Sequence, residues 1–477
     1  MNIAANSLFV TLPHHVASYS TAVDKTRIGV LTQLYIWSII FEPLLLFLIG
    51  SQASTGIGLN FGRLLQLLVL TGLLLRFVMN PASIRIPNPF NARLRPYFLF
   101  ILYTIFAGVL GLLLGKYAYS GQVSAGQSIF ASINTPMMRP IWEYVTLIFQ
   151  FVYFILLAPY FLRGEREVSY FFKAFTFMAI LHLVVGFIDY GFSVFGVELV
   201  PRHLSDWRHV GVRLHGIAGE PRDAFVHMIA IMFIFGLKAL RDTGQVNLSK
   251  KLVVTIIVAL LLTQSASGIL GLIIAMMLIT VFGFNKISVR RIASLVLLVL
   301  LGGGGVYIAI LSSERLQLYL TYASVVQELF LDSSIDVPLI VQTQYNNIYP
   351  LIELYNDVLE FNPMPVLFGS GLGSSGFANS RTPVFETLAN PHSQITRTIF
   401  ETGLLGTFMF IYAFRKMLLS SSDFLSRFNQ QRLLWLFLLL LGCYFAHRST
   451  HLMICTGVLY AVTLTLRKRE VYTSARY

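Results

Sequence analysis

The sequence predicts an all-α polytopic membrane protein with about twelve transmembrane helices and one large loop on the outer side of the membrane. Of its 477 residues, 56% are hydrophobic and only 12% are charged, whereas a soluble domain carries about 25% charged residues. The hydrophobic residues also gather in runs that approach the roughly 20 apolar residues a spanning helix needs. Composition and run length together exclude an ordinary soluble domain.

Twelve apolar runs are candidates for these helices. The run at 251–284 is too long for one span, and its polar TQSASG segment predicts a break between two helices. No hydrophilic stretch is longer than the one at 313–391, so the chain 1–477 is interpreted as a single membrane domain. The predicted spans lie near residues 30–50, 61–79, 97–115, 141–161, 171–196, 223–240, 251–265, 267–284, 292–312, 394–414, 431–447 and 450–466.

The distribution of Lys and Arg predicts the orientation of these helices, because cytoplasmic loops are enriched in both residues. With the N-terminus in the cytoplasm, 24 of the 35 Lys and Arg residues fall on the cytoplasmic side and 11 on the other. We therefore expect both termini to be cytoplasmic. The same asymmetry explains the net charge of +13 without a nucleic-acid partner.

Two segments on the outer side have unusual charge. The connection 197–222 is basic, although the outer side normally avoids Arg, and the loop 313–391 is acidic, with eight Asp and Glu against two Arg. Within the acidic loop, apolar residues in 345–361 recur at helical spacing and predict an amphipathic helix near the membrane surface. The basic connection contains Arg202, Arg208, Arg213 and Arg222.

The arginine cluster favours an anionic lipid ligand. Arg is permanently charged, and its planar fork matches phosphate geometry, so several arginines together suggest a phosphate or a diphosphate. At a membrane surface this group would belong to a phospholipid headgroup or a lipid diphosphate. Salt bridges to the acidic loop 313–391 are the structural alternative.

The stretch NPHSQITRTIFETGLLG at 390–406 supplies a candidate base, His392, at the outer end of a predicted helix. A neutral imidazole can accept a proton from a hydroxyl, and a diphosphate leaving group needs cations rather than a general acid. His and Arg are thus sufficient for transfer from a lipid diphosphate to an alcohol. A purely structural histidine is the alternative interpretation.

Four further residues of this stretch are interpreted as structural support. Arg397 and Glu401 are four positions apart on one helix face, where opposite charges neutralise each other. Gly403 and Gly406 are expected to allow a neighbouring helix to approach closely.

Other polar features give weaker signals. The glycine-rich 368–377 lacks the Lys-Ser/Thr of a nucleotide loop, so it predicts a tight turn. His447 and His451 have a spacing that suits zinc, but no third ligand is evident, and structural roles are favoured. Glu42 and Asp189 lie in predicted spans, where acids usually face a cavity or a partner.

The stretch beginning at His392 resembles the signature of the O-antigen ligase and polymerase superfamily. In the ligases, His is followed by Asn, Ser or Gln, then by nine residues and Gly-x-x-Gly/Thr/Tyr. Here the pattern reads His392-Ser393, the nine residues 394–402, and Gly403 to Gly406. It stands where that superfamily has it, at the end of the large periplasmic loop.

Two other stretches are similar to the superfamily. The segment GVRLHGIAGEPRDAF at 211–225 places Arg and a Gly-rich turn before a helix, and Arg208 to Gly219 matches an Arg-x10-Gly pattern of the polymerases. In LTQSASGILGL at 262–272, Ala266 stands where many relatives have Arg. That departure removes one expected phosphate contact.

The resemblance implies metal-independent glycosyl transfer in a bacterial inner membrane, with no cofactor and with the active site on the periplasmic side. His392 would act as general base on the acceptor hydroxyl, and Arg208, Arg213 and Arg222 would contact the diphosphate. The implied partners are an undecaprenyl-diphosphate-linked oligosaccharide, an acceptor glycolipid and the lipid bilayer. A chain-length regulator is a further candidate partner.

Three functions stay open at this point. A polymerase transfers the growing glycan onto another lipid-linked repeat unit, and the Glu220-Pro221 pair is slightly more similar to exopolysaccharide polymerases. A ligase of the same superfamily transfers it to lipid A-core or to protein. A flippase or other transporter is the alternative of another class, but transporters commonly contain internal repeats, and the two halves of this sequence do not match.

Overall fold

The computed structural model describes residues 28–44, 48–49, 59–84, 86–117, 135–136, 138–197, 199–200, 212–282, 348–380, 391 and 393–474. Within these ranges the chain is helical, apart from one antiparallel pairing of β1 (Leu48–Ile49) with β2 (Leu59–Asn60). The predicted span 292–312 and most of the predicted loop 313–391 lie outside the described residues.

Fourteen described helices are numbered here in chain order. The segment α4 has a π-helical turn at Phe151–Leu156, and short 3-10 turns occur at Pro81–Ser83 and Gly216–Ala218. The helices are α1 (Val30–Phe41), α2 (Phe61–Met79), α3 (Arg95–Leu113), α4 (Met138–Phe161), α5 (Glu165–Val194), α6 (Pro221–Thr243), α7 (Lys250–Thr263), α8 (Ala266–Phe282), α9 (Tyr349–Leu359), α10 (Met364–Phe368), α11 (Ser374–Ser380), α12 (Gln394–Ser421), α13 (Arg427–Ala446) and α14 (His451–Ser474).

Six of these helices are long and apolar enough to cross a membrane, namely α2, α3, α4, α5, α6 and α12. The apolar helices α1 and α8 are shorter. The described residues therefore support a polytopic all-α membrane protein, while the number twelve and the periplasmic position of the large loop stay predictions.

Local sequence explains where two of the helices end. The predicted first span reached residue 50, but α1 ends at Phe41, because Pro43 has no backbone N–H to continue the helical hydrogen bonds. The break predicted within 251–284 is confirmed. Gln264 adopts a left-handed conformation (φ 45°) that ends α7, and α8 begins two residues later.

Small residues let α8 and α13 lie against each other. A Cβ atom on Gly271 would lie 2.8 Å from the Cα of Cys443, and one on Gly442 would overlap the backbone of Ala275. Such small-residue contacts are typical of helix pairs in membranes, where close backbone approach replaces the hydrophobic effect as a source of stability.

Contacts between helix ends sort the described chain into two layers. At one end, Arg241 pairs with Glu165 at 3.1 Å, and Asn429 donates to the carbonyl of Gly244 at 2.8 Å. All four residues were predicted to lie at the cytoplasmic side. The opposite layer contains the polar residues described next, while the alternation of the twelve predicted spans and the assignment of the sides stay predictions.

Candidate functional site

The candidate site surrounds the N-terminal end of α12. Ser393 is the N-cap of this helix, and its Oγ accepts a long hydrogen bond of 3.5 Å from the backbone N–H of Thr396. Its neighbour Pro391 is buried. The predicted base His392 stands between these two residues in the sequence and lies outside the described residues.

Arg397 connects two carboxylates inside the protein. Its side chain is almost completely buried, and Nη2 lies 2.7 Å from Oε2 of Glu143 on α4. Nε donates to Oε1 of Glu401 at 2.9 Å, which is the pair predicted from the helical spacing. Ser375 also donates its hydroxyl proton to the same Glu401 oxygen at 2.6 Å. The first turns of α12 are thereby fixed to α4 and α11.

Glu143 receives two further arginines. Arg139, one turn earlier on α4, lies 2.9 Å from Oε1, and Arg448 from the α13–α14 turn lies 3.4 Å from Oε2. We call Arg139, Glu143, Arg397, Glu401 and Arg448 the α12 charge network. Its three guanidinium groups and two carboxylates leave one positive charge in excess.

The positive charge of the α12 charge network affects the pKa of one of its arginines and extends to the protein surface. The cation of Arg397 lowers the pKa of Arg448 below its usual value, although Arg remains charged at neutral pH. The Arg448 side chain is 41% exposed, so positive charge also reaches the surface. Nη1 of Arg397 is buried and has no hydrogen-bond partner among the described residues. Together with the N-terminal end of a helix, this arrangement favours an anionic group nearby.

The glycine-rich segment 368–377 stabilises a break in α12. Gly403 has φ 67° and ψ −178°, so it interrupts the helical hydrogen bonds of the carbonyls before it. The N–H groups of Ser370 and Gly371 donate to the freed carbonyls of Phe400 and Glu401 at 2.8 and 2.9 Å. The predicted tight turn is therefore a backbone clamp on the helix that follows His392.

Both predicted support glycines face close neighbours. A Cβ atom on Gly403 would lie 2.5 Å from the backbone of Leu367 and Gly369, and one on Gly406 would lie 2.6 Å from the ring of Tyr103 on α3. The Tyr103 hydroxyl donates to the Thr402 carbonyl at 3.1 Å. Close approach was the expectation for both glycines, and at Gly403 the neighbour is the end of α10 rather than a long helix.

The predicted diphosphate arginines have different surroundings. Arg208 lies outside the described residues. Arg213 donates from Nε to the carbonyl of Thr263 and from Nη2 to the carbonyl of Gln264, both at 3.0 Å. These carbonyls end α7 and lack helical partners, so Arg213 caps that helix.

Arg222 is available for a ligand to a greater extent than Arg213. It is half-buried at the start of α6, and its buried Nε has no hydrogen-bond partner among the described residues. The next residue, Asp223, accepts a hydrogen bond from Nε2 of His447 at 2.8 Å. Since His447 immediately precedes Arg448, the α13–α14 turn brings the Arg222 end of α6 and the α12 charge network together.

The other polar residues singled out in the sequence have structural partners. His451 contacts His227 at 3.0 Å while His447 contacts Asp223, and among the described residues no three potential ligands are placed to hold a metal ion. Asp189 accepts two backbone hydrogen bonds from Leu199 and Val200. Glu42 accepts a hydrogen bond from Gln66 at 2.8 Å.

Sequence reasoning missed Arg139, Glu143 and Arg448. A signal for the first two was present, because they are opposite charges four positions apart at the start of an apolar span. Arg448 carried a weaker signal, as one of the few arginines predicted on the outer side.

Comparison with known protein families agrees with the site. The sequence model of the family described as O-antigen ligase matches residues 252–411. This match supports the resemblance of the chain to the O-antigen ligase/polymerase superfamily that the His392 motif indicated. The matched segment includes His392, the glycine-rich clamp and the break at Gly403. No curated protein matches the chain significantly.

Proposed function

We propose that this protein transfers a glycan from an undecaprenyl-diphosphate-linked donor to an acceptor hydroxyl at the periplasmic face of the bacterial inner membrane. The observation that carries the proposal is the family match across the His392 motif, at a helix end beside which the α12 charge network holds an excess positive charge. Both termini would be cytoplasmic, and the loops 197–222 and 313–391 would be periplasmic parts of a single membrane domain.

The proposed reaction needs one base and several cations. His392 takes the proton from the acceptor hydroxyl, and the resulting oxygen attacks the anomeric carbon of the donor sugar. The bond between that carbon and the diphosphate oxygen breaks, and the diphosphate leaves with the electron pair. Cations at fixed positions stabilise the charge that develops on it, so no general acid and no metal ion is required.

Arg222 and Arg208 are the proposed diphosphate contacts. Arg222 supports this role through a half-buried side chain whose Nε has no partner among the described residues. Arg213 was proposed for the same role from its residue type, but two of its nitrogens hold the end of α7. We therefore propose that Arg213 shapes the basic connection and acts on the donor only through that shape.

The α12 charge network is proposed to position His392. Arg397, Glu143 and Glu401 fix the first two turns of α12, and His392 precedes that helix by two residues. A general base must be within hydrogen-bond reach of its proton, so a fixed helix end is an advantage. Gly403 and Gly406 support the same helix through the clamp and through α3.

Polymerisation of O-antigen or exopolysaccharide repeat units is the proposed form of the reaction, and ligation to lipid A-core or protein is the alternative. The Glu220-Pro221 pair favoured a polymerase in the sequence. Its structure has a local explanation, because Glu220 is the N-cap of α6 and Pro221 occupies the first helical position, where Pro is common. The acceptor must therefore be determined by experiment.

Transport is the second class of function. Secondary carriers usually bind substrate near the middle of the membrane. Arg397 and Arg222 instead lie near the N-terminal ends of α12 and α6. This placement favours chemistry at a membrane surface.

One assay separates these functions. Purified protein in liposomes receives a single lipid-linked repeat unit, alone or with lipid A-core, and the products are separated by size. A ladder of longer lipid-linked glycans supports a polymerase, and transfer only to lipid A-core supports a ligase. Translocation without any new glycosidic bond contradicts the proposed transfer. Adding a candidate chain-length regulator tests whether it limits the ladder.

A further inference from the structure

A continuous row of apolar side chains on α9 and α10 faces away from the protein. We call this row the α9–α10 ridge. On α9 its exposed members are spaced by three and four residues, so they form one stripe of the helix. The ridge consists of Tyr355, Val358, Leu359, Phe361, Met364 and Leu367, which are 51%, 47%, 57%, 95%, 39% and 44% exposed.

Two acidic side chains of α9 point toward the protein rather than toward water. Asp357 and Glu353 face the protein, where both accept hydrogen bonds from Lys116 at the end of α3, at 2.7 and 2.9 Å. Asn356 and Glu360 form a separate exposed polar stripe. A helix with an apolar outer stripe, a polar outer stripe and its anchoring charges turned inward is suited to an apolar–water boundary.

Phe361 is the most exposed member of the ridge and has an unusual backbone conformation. Its φ of 59° is in the left-handed region, which non-glycine residues rarely adopt and where Gly usually ends a helix. The turn is held by hydrogen bonds from the N–H of Phe361 to the Val358 carbonyl and from the N–H of Asn362 to the Asp357 carbonyl. This turn therefore points the aromatic ring of Phe361 away from the protein.

The ridge continues into the surface of a candidate membrane helix. Phe368 at the end of α10 packs edge-on against Phe106 of α3, with ring centroids 6.0 Å apart. Phe106 and Val109 are 50% and 52% exposed on α3, which is long and apolar enough to cross a membrane. The exposed apolar surface of α3 therefore contacts the end of the helix that carries the second half of the ridge.

From these four observations we propose that the α9–α10 ridge inserts into the surface of the lipid bilayer, with Phe361 as its deepest residue. Phe and Leu are typical of the apolar face of a helix that lies at this boundary, where the face is buried between headgroups and acyl chains. The anchor does not depend on the proposed glycan transfer. The anchor would also affect the candidate site. The end of α10 lies against Gly403 of α12, so contact of α10 with the bilayer would fix the depth of α12 in the membrane.

Spin labels measure this insertion directly. The full chain carries single cysteine substitutions Phe361→Cys, Leu359→Cys, Asn356→Cys or Val109→Cys, each labelled and reconstituted in liposomes. Collision with oxygen, which concentrates in lipid, is compared with collision with a water-soluble nickel chelate. Val109 is the lipid reference, and Asn356, on the polar stripe of the same helix, is the water reference. The chain without added cysteine corrects for Cys443 and Cys455, which are both buried.

The proposal expects labels at Phe361 and Leu359 to collide mainly with oxygen, like the label at Val109, while the label at Asn356 collides mainly with the nickel chelate. Nickel-dominated collision at both ridge positions would overturn it. Protection from both reagents would also overturn it, since protein would then cover the ridge, either a second copy or the segment 283–347. If Phe361→Cys does not fold, Leu359→Cys decides between the same outcomes.

Discussion

The guanidinium group of Arg397 lies 2.7 Å from the carboxylate of Glu143, although more than 250 residues separate them in the chain. Both side chains are almost completely buried. The attraction within a buried ion pair offsets the free energy of removing its charges from water only when the geometry is good. Loss of one partner leaves the other charge buried and unpaired. This contact therefore determines how α12 is attached to α4.

Replacing Arg397 by Ala should destabilise the protein by about 3–5 kcal/mol, because Glu401 would keep a buried charge without its cation and Glu143 would lose one of its three arginines. Thermal unfolding in detergent, followed by loss of the monodisperse peak in size-exclusion chromatography, measures the change. Lys416→Ala is the control, since Lys416 is exposed on the same helix, and we expect a change within about 0.5 kcal/mol. Equal stability of both variants would show that the network adds nothing to folding.

Replacing His392 by Ala should leave a folded, membrane-inserted protein that has lost glycan transfer. Loss of a general base costs roughly 10²- to 10⁴-fold in rate, and the measurement is product formation from a lipid-diphosphate donor at saturating acceptor. Thermal stability of the same preparation separates chemistry from folding. Transfer at the wild-type rate would remove His392 from the reaction.

Arg213→Lys and Arg222→Lys should have opposite effects. Lysine cannot bridge the two carbonyls that Arg213 contacts, and hydrogen bonds from charged groups contribute about 1.5–3 kcal/mol each. Arg213→Lys should thus lower thermal stability while the folded fraction keeps its transfer rate. Arg222→Lys should keep its stability and lose at least about tenfold in transfer, which corresponds to about 1.4 kcal/mol of lost stabilisation.

Each of the two arginine variants is the control for the other. Each is measured for unfolding temperature and for transfer rate per folded molecule in the same liposomes. If Arg213→Lys slows transfer without loss of stability, Arg213 contacts the donor as its residue type first suggested. If Arg222→Lys transfers normally, a bidentate contact at Arg222 is excluded.

Most of the described helices could be predicted from the sequence because apolar runs are a local property. The break at Gln264 followed from a polar interruption in a run too long for one span. The helical spacing of Arg397 and Glu401 predicted their pairing, since neighbours on one helix face meet regardless of the rest of the fold.

Contacts between distant segments were not accessible in the same way. Glu143 and Arg448 reach Arg397 only through helix packing, which no spacing in the sequence records. His447 and His451 have a zinc-like spacing, but they face different helices and pair with Asp223 and His227. The fork of Arg213 suits a diphosphate and two helix-end carbonyls equally well, so the residue type alone did not determine its partner.

Gly403→Ala should destabilise the protein, because the backbone conformation of Gly403 is almost exclusive to glycine and the added Cβ meets a neighbouring backbone. The φ of 67° with ψ of −178° costs a non-glycine residue about 1–3 kcal/mol. The new methyl group would also lie 2.5 Å from the carbonyl oxygen of Leu367. Unfolding temperature in detergent measures the loss.

Gly191→Ala provides the matched control for Gly403→Ala. Gly191 is helical within α5, and a Cβ atom there would have no neighbour within 4 Å, so alanine should stabilise that helix by about 0.5–1 kcal/mol. If both variants behave alike, the break at Gly403 imposes no constraint on folding. If only Gly403→Ala loses stability and transfer also falls per folded molecule, the glycine-rich clamp sets the geometry of the helix that follows His392. A stability loss with normal transfer would limit the clamp to folding.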